Sequence, residues 1–294
     1  MPRKIGFSLW YGNKSKKELI EQMHSLGFDY VEISLDYPWP YDEYEFSNII
    51  KLTKTIGLEI SFHGPWRDIR LASPIDEIAY SSRKVVKKIV DNISKFEPKY
   101  FNIHLISEEI TFDNKVRDKI ISRAKETIRF LEELSEEYSI AITVENNPHG
   151  HFSFPTYFTQ VGLNSIRFCL DIAHAIVAYY NAGETSYTPL GVISDWINAL
   201  GKEKIHVIHV HDIVKKNDTY ANHYYFGLGF LNLHEISKLI CSKTNAKYIL
   251  LETFRKNRNH QFKVLKENEV IEIIRKNCML GRSKGEIGLN IRDR

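Results

Sequence analysis

The chain is poor in cysteine, has no long apolar run and carries no glycine-rich nucleotide loop, and each shortage removes a class of protein. Three cysteines in 294 residues, Cys169, Cys241 and Cys278, stand far apart and form no CxxC pair. That spacing argues against a thiolate metal site and predicts no disulfide framework, so a reducing, cytoplasmic setting is expected. No apolar stretch approaches the ~20 residues that cross a bilayer. Met1-Pro2-Arg3-Lys4 runs straight into a strand-like segment instead of the apolar core of a secretion signal, so the expected protein is soluble, unprocessed and without a membrane partner. No GxGxxG follows the first strand candidate, which weighs against an open dinucleotide-binding sheet. Nor does a Gly/Ser/Pro-rich linker divide the chain.

Charge of one sign is also scarce. The formal net charge is +3, yet residues 275–294 alone hold six Lys or Arg against two acids, leaving the preceding residues close to neutral. Bulk charge then offers little steering for a polyanion, and an anionic substrate would be drawn by a local patch or by bound metal.

What the chain does have is alternation. Short β-rich runs and helical-period segments follow one another from end to end, the pattern of a parallel sheet with crossover helices. The strand candidates are Lys4 to Leu9, Tyr30 to Ser34, Leu58 to His63, Tyr100 to Leu105, Ala141 to Glu145, Ile166 to Asp171, Ile205 to His211 and Tyr248 to Glu252. Helix candidates lie near 15–26, 43–56, 76–96, 114–138, 155–162, 189–201, 232–243 and 264–276. In Ser82 to Phe96, Val85, Val86, Ile89, Val90 and Ile93 recur at helical spacing opposite a charged face. Eight such units predict an α/β fold, a single-domain (β/α)8 TIM barrel over 1–276, with 277–294 as a basic C-terminal extension. The stretch from Asp212 to Leu231, with Gly227-Leu228-Gly229, reads as a functional loop.

Metal-capable side chains fall at the strand ends. His63, His104, Glu145, Asp171, His209 and Glu252 lie at or near the ends of strands three to eight, and His174 follows Asp171 by one helical turn. In a (β/α)8 barrel these points converge on one rim, where active sites form. Imidazole and carboxylate without thiolate suit Zn2+, Mn2+ or Mg2+, with Zn2+ the first choice, and a carboxylate that bridges two ions can hold them about 3.5–4 Å apart. A lone His at a strand end is more often structural than ligating. Coincidence at six consecutive strands is harder to sustain, because buried charges are costly unless paired or metal-bound.

Other residues carry less. His24, His206, His234 and His260 lie off the inferred rim and read as ordinary structural or surface residues, and His149 and His151 as a solvated loop. Glu32, ending the second strand, points to the rim and is evenly balanced between a catalytic group and a simple partner for a base. Tyr37-Pro38-Trp39-Pro40 and Tyr224-Tyr225-Phe226 divide equally between a substrate platform and core.

In order along the chain, Phe62-His63-Gly64-Pro65-Trp66, Asn102-Ile103-His104, Val144-Glu145-Asn146, Leu170-Asp171-Ile172-Ala173-His174, His209-Val210-His211-Asp212, Asn222-His223 and Leu250-Leu251-Glu252-Thr253 resemble the xylose isomerase-like TIM barrels. That family includes endonuclease IV and many sugar isomerases and epimerases. The resemblance implies a first metal on His63, His104 and Glu145, and a second on Glu145, Asp171, His209 and Glu252. It implies a third ion on His174 and His223 plus an Asp, where this chain reads Ala221-Asn222-His223 and lacks the carboxylate. Glu145 and Glu252 are then the catalytic pair, and Trp66, Arg67 and His211 substrate-binding groups.

Two activities follow from the resemblance: endonuclease IV-like hydrolysis of a phosphodiester, with abasic or otherwise damaged DNA as the partner and two or more ions per chain, or isomerisation or epimerisation of a small sugar or sugar phosphate with one ion. The histidines at 63 and 104 favour the first; the missing carboxylate and the near-neutral barrel favour the second. A barrel that binds metal without turnover is the non-enzymatic alternative. The oligomeric state is not legible.

Overall fold

The structure is a computed structural model that describes residues 2–10, 12–13, 15–36, 43–107, 110–254 and 265–283. Its strands are β1 (Lys4–Leu9), β2 (Tyr30–Ser34), β3 (Glu59–His63), β4 (Phe101–His104), β5 (Ile142–Glu145), β6 (Arg167–Asp171), β7 (Ile205–Val210), β8 (Asp212–Lys216), β9 (Thr219–Tyr224) and β10 (Tyr248–Leu251). Its helices are α1 (Lys16–Ser25), α2 (Glu43–Thr55), α3 (Asp76–Ser94), α4 (Asn114–Tyr138), α5 (Pro155–Val161), α6 (Ile172–Asn181), α7 (Pro189–Leu200), α8 (Leu233–Lys243) and α9 (Glu267–Ser283). Strands β1 to β7 and β10 close into a barrel, and β1 pairs in parallel with both β2 and β10. The (β/α)8 TIM barrel read from the alternation is the observed fold.

Side chains of a strand alternate between its faces, so every second residue points into the barrel. On β4, β6, β7 and β10 the outward residues Phe101, Ile103, Phe168, Leu170, Ile208, Val210, Ile249 and Leu251 join the large core under the helices. The inward set, Tyr30, Tyr100, Cys169, Val207 and Leu250, forms a separate cluster inside the barrel. Tyr30, Tyr100 and Tyr248 meet edge-on or tilted with centroids 5.2–6.0 Å apart and plug its floor. Tyr30 occupies the space that a side chain at Gly6 would need, since a Cβ there would fall 2.3 Å from the ring. Two residues further along the strands the same inward rows carry Asn102, Asp171, His209 and Glu252, and His104 follows two beyond Asn102.

Local chemistry starts the helices where expected. Asp113 caps α4 by accepting from Lys115 and Val116 N–H, and Asn232 caps α8 through His234 and Glu235 N–H. In α3 the inward stripe is Ala79, Ser82, Val86, Ile89, Val90 and Ile93, while Val85 lies outside at 43% exposure.

Four elements differ from expectation. Between β6 and β7 stand two helices, α6 and α7, where one was expected. The stretch read as one loop from Asp212 is an antiparallel hairpin of β8 and β9 followed by a tight turn. Helix α9 continues to Ser283, so the boundary expected at residue 277 falls inside it. Cys241 of α8 and Cys278 of α9 form a disulfide, contrary to the expectation from their spacing. The two helices lie side by side, which brings the Cα atoms to 4.9 Å although 37 residues separate them in sequence. No helix among the described residues is long and apolar enough to cross a membrane. Tyr37 to Pro40, His260 and residues 284–294 lie outside the described residues.

Candidate metal centre

The strand ends bring together the His, Asp and Glu residues that the spacing singled out. Glu145, the last residue of β5, is fully buried at their centre. One carboxylate oxygen, Oε2, lies 3.3 Å from His63 Nε2 and 3.8 Å from His104 Nε2. The other, Oε1, lies 3.4 Å from His209 Nδ1 and 3.5 Å from His174 Nδ1, with no hydrogen-bond partner among the described residues. Asn102, two residues before His104 and on the same strand face, hydrogen-bonds Glu145 Oε2 through Nδ2. Thr143 Oγ1 donates to Asn102 Oδ1 at 2.7 Å and so sets the amide's orientation.

Asp171 ends β6 and caps α6 at once: its Oδ1 accepts His174 N–H at 2.7 Å. Asn146 clamps the same residue from β5, with Nδ2 donating to Asp171 O at 2.8 Å and Oδ1 accepting Asp171 N–H at 2.9 Å. Neither Asn102 nor Asn146 was assigned a role from the sequence. Period-two alternation from His104 would have found Asn102, whereas Asn146 follows Glu145 on the opposite strand face and gave no such signal.

Histidine tautomers follow from what each Nδ1 meets. His63 Nδ1 lies 2.7 Å from Gly64 O, His174 Nδ1 3.1 Å from Asn146 O, and His223 Nδ1 3.2 Å from Glu252 O. A carbonyl can only accept, so each Nδ1 bears a proton, and in the neutral ring of His174 or His223 Nε2 then carries a lone pair. His174 Nε2 and His223 Nε2 then face each other at 3.3 Å. Two lone pairs repel unless a cation lies between them, and the separation equals the roughly 3.3 Å edge of a tetrahedral site with Zn–N bonds of about 2.0–2.1 Å. His223 is held there in a left-handed backbone conformation, φ 63°, the kind of local strain that concentrates at functional sites.

Two residues considered for the missing third-site carboxylate are already committed. His211 is fully buried; its Nε2 donates to Asp171 Oδ2 at 2.8 Å and its Nδ1 accepts His223 N–H at 2.9 Å. Its ring also stacks on His223 at 4.3 Å, and one donor atom from each of His174, His211 and His223 lie within 4.8 Å of one another. Asp212 accepts four backbone N–H groups, from Ile213, Gly227, Gly229 and Leu231, and organises the turn after the hairpin. A Cβ at Gly229 would come within 1.9 Å of the Ile213 carbonyl oxygen, which explains the glycine.

Trp66 lies just beyond β3, 48% exposed, with the Arg67 guanidinium 4.1 Å over its ring. Arg67 also pairs with the buried Asp36 carboxylate at 2.5 Å, so its charge is compensated. His151 is buried, contrary to the solvated loop expected, with Nδ1 3.4 Å from Ser107 Oγ; His149 is exposed.

Burial and charge pull these groups apart. Burial alone would raise Glu145, but the charges of His209 and His104 outweigh it and hold the carboxyl well below its usual range. Burial pushes Glu252 up to about 7 even with His209 beside it. Burial depresses His63, but its hydrogen bond and attraction to Glu145 dominate and push it up to about 10. His174 is pushed down to about 3 by burial despite the nearby Asp171.

The donor set fits divalent ions. One donor atom from each of His63, His104 and Glu145 lie within 4.8 Å of one another, and so do those of Glu145, Asp171, His209 and Glu252. The unsatisfied buried atoms Glu145 Oε1 and His209 Nε2 mark the cost of this cluster without a cation.

The fold and this cluster define an α/β-barrel protein with a candidate metal centre at the carboxyl ends of its strands, the face where barrel enzymes place their chemistry. The family model for the xylose isomerase-like TIM barrel matches residues 20–275, and the chain belongs to that family. An uncharacterised protein of Methanocaldococcus jannaschii is 24% identical over 200 residues, 67% of this chain and 71% of that protein. Among solved structures, a D-tagatose 3-epimerase-like protein matches with a TM-score of 0.69 at 19% identity, covering 96% of this chain and 99% of that one. Endonuclease IV from Thermus thermophilus matches with a TM-score of 0.58 at 16% identity, again covering 96% and 99%. At these identities the likeness establishes the fold, and the similar structures include both epimerases and an endonuclease.

Proposed function

We propose that this chain is a divalent-metal-dependent phosphoester hydrolase of the endonuclease IV type, holding two or more ions, with Zn2+ the first choice. The observation that carries the reading is the position of Glu145, one oxygen toward His63 and His104 and the other toward His209 and His174. His63, His104 and Glu145 would hold one ion; Glu145, Asp171, His209 and Glu252 a second; His174 and His223 would hold a third with ligands from outside the chain. Bound ions would supply the positive charge that polarises a phosphoester and makes water reactive near neutral pH.

The chain's own groups orient and move protons. Glu145, kept ionised, is the acceptor for the proton of an attacking water. Glu252, pushed up to about 7 in the ion-free chain, would carry a proton to a leaving oxygen only when it is released from the second ion. Asn102 and Thr143 fix the Glu145 carboxylate, and Asn146 and His211 fix Asp171. Trp66 offers a flat apolar surface on which a base or sugar can rest. With Arg67 tied to Asp36, phosphate capture falls to the ions, which fits a small phosphoester or a lesion in DNA better than an extended sequence-independent DNA track.

A second reading, epimerisation or isomerisation of a small sugar with one ion, is favoured by the opposite shifts of Glu145 and Glu252, which make a base and acid pair across one site. Ala221 also leaves the third position without its carboxylate.

Elemental analysis of protein purified without chelator separates the two, together with assays on abasic-site duplexes, bis-p-nitrophenyl phosphate and ketose panels. Two or three ions per chain, with phosphoester cleavage lost at least ~100-fold in the double variant His63→Ala/His104→Ala, is the expected outcome. One ion per chain, with ketose turnover that survives the double substitution, would replace the hydrolase with the epimerase. An ion-free chain would remove both.

A further inference from the structure

Glu32 lies in the middle of β2 and is fully buried inside the barrel, beneath the candidate metal centre. Its surroundings are poor for a carboxylate. The inward cluster around it consists of Tyr30, Tyr100, Cys169, Val207 and Leu250, and neither Glu32 oxygen has a hydrogen-bond partner among the described residues. The Tyr100 hydroxyl lies near enough to Glu32 that, besides burial, both the carboxylate charge and a weak side-chain hydrogen bond help raise the phenol, but by geometry it donates to the Tyr30 hydroxyl, at 3.3 Å. A buried carboxyl without partners costs several kcal/mol, and an aliphatic residue would pack the same space without that penalty. The sequence position alone does not explain it, because the neighbouring inward residue on β3, Ser61, is small and uncharged.

The nearest partner is the far side of His209. Its Nε2 lies 3.4 Å from Glu32 Oε2 and is likewise without a hydrogen-bond partner among the described residues. The near side, Nδ1, faces the rim, 3.2 Å from Glu252 Oε2 and 3.4 Å from Glu145 Oε1. An imidazole that ligates through Nδ1 must carry its proton on Nε2, and that proton needs an acceptor in the barrel interior. Cys169 also lies against His209, but burial holds its thiol well above its usual range, so it stays a neutral, weak acceptor. Glu32 is too deep to touch substrate.

We infer that Glu32 is the positioning residue of the centre: its carboxylate accepts the His209 Nε2 proton from below, fixes the ring's tautomer and tilt, and so aims Nδ1 at the ion shared with Glu145, Asp171 and Glu252. Two orphaned buried atoms 3.4 Å apart are thereby explained by one hydrogen bond that shortens when an ion takes Nδ1. The inference rests on the metal reading of the site and is independent of whether the reaction is hydrolysis or epimerisation.

The test compares the wild-type chain with Glu32→Gln and Glu32→Leu by Zn2+ competition against a chromophoric chelator, by the visible spectrum of the Co2+-loaded proteins, and by melting of the metal-free proteins. Glutamine keeps a neutral acceptor and leucine keeps none. The expected result is Zn2+ affinity lowered roughly 10-fold in Glu32→Gln and about 100-fold in Glu32→Leu, as for other groups that orient a metal-bound histidine. The Co2+ bands should shift, and metal-free melting temperatures should be unchanged or raised, since a buried carboxyl has been removed. Wild-type affinity and spectrum in both variants would overturn the inference while leaving the metal site standing. Weaker binding accompanied by lower metal-free melting temperatures would assign Glu32 a structural role and overturn it as well. A wild-type chain that bound no Zn2+ would instead refute the metal reading, and the inference with it.

Discussion

At the scale of single residues, the centre is built by acceptors that dictate which histidine nitrogen is bare. Backbone carbonyls hold the Nδ1 protons of His63, His174 and His223, and Nε2 of each is turned toward the cluster. The exception is His209, whose rim-facing atom is Nδ1. Asn146 belongs to the same machinery, since its amide is bound at both ends to the Asp171 backbone. Asn146→Ala should leave a buried N–H and C=O unpaired, destabilise the chain by about 2 kcal/mol and weaken ion binding roughly 10-fold through Asp171; thermal melting and Zn2+ titration check the two effects separately. The identity of the rim residues was legible because six of them recur at consecutive strand ends. Their partners were less so. Asn102 shares the His104 face and was available to a period-two argument, but the roles of Asn146 and His211 depend on contacts 25 and 40 residues away in sequence.

At the scale of elements, two local patterns misled the sequence reading for physical reasons. Helix α6 is apolar nearly all round, with Ile172, Ala173, Ala175, Ile176, Val177, Ala178 and Tyr179 buried, so it lacks the polar stripe by which a surface helix is recognised. It is packed against α7 and the β8–β9 hairpin, and only that cover makes its composition tolerable. The hairpin gives no clear strand signal, because its strands DIVKK and TYANHY are short and largely polar. The third surprise, the Cys241–Cys278 disulfide, depends on α8 lying beside α9. Closing a loop of 37 residues stabilises by about 4 kcal/mol in the chain-entropy account. Cys241→Ser, or a strong reductant on the wild type, is therefore expected to lower the melting temperature by several degrees while leaving Zn2+ stoichiometry unchanged, because neither helix contributes a candidate ligand. An unaltered melting curve would mean that α8–α9 packing alone holds the C-terminal end of the barrel.

At the scale of the whole molecule, folding gathers ionisable groups that the chain would otherwise keep in water, and pH should register that. His63 is pushed up to about 10, chiefly by Glu145 against the opposing effect of burial, so its share of metal-free stability is fully present below about pH 6.5 and is lost as pH rises through about 10. Glu252, pushed up to about 7 by burial, must also lose its proton to serve as a ligand. Ion binding should therefore release protons and tighten from about pH 6 up through about pH 10. Isothermal titration in buffers of different ionisation enthalpy reads the proton count, and an affinity flat with pH would contradict the assignment of His63 and Glu252 as ligands. Chelation should lower the melting temperature, because an ion that binds only the folded chain stabilises it by mass action. The sequence by itself determined the barrel and the ring of His and carboxylate residues at its rim, since both are written in short-range periodicities: two residues in a strand, about 3.6 in a helix, one candidate ligand per strand end. Only the tertiary structure decided which nitrogen each imidazole presents, that His211 and Asp212 are engaged in hydrogen bonds, that Arg67 is neutralised by Asp36 and that Glu32 sits beneath His209. Those outcomes depend on barrel closure, which sets side chains from distant strands within hydrogen-bonding reach and out of water, where an unmet donor or acceptor is too costly to leave undecided.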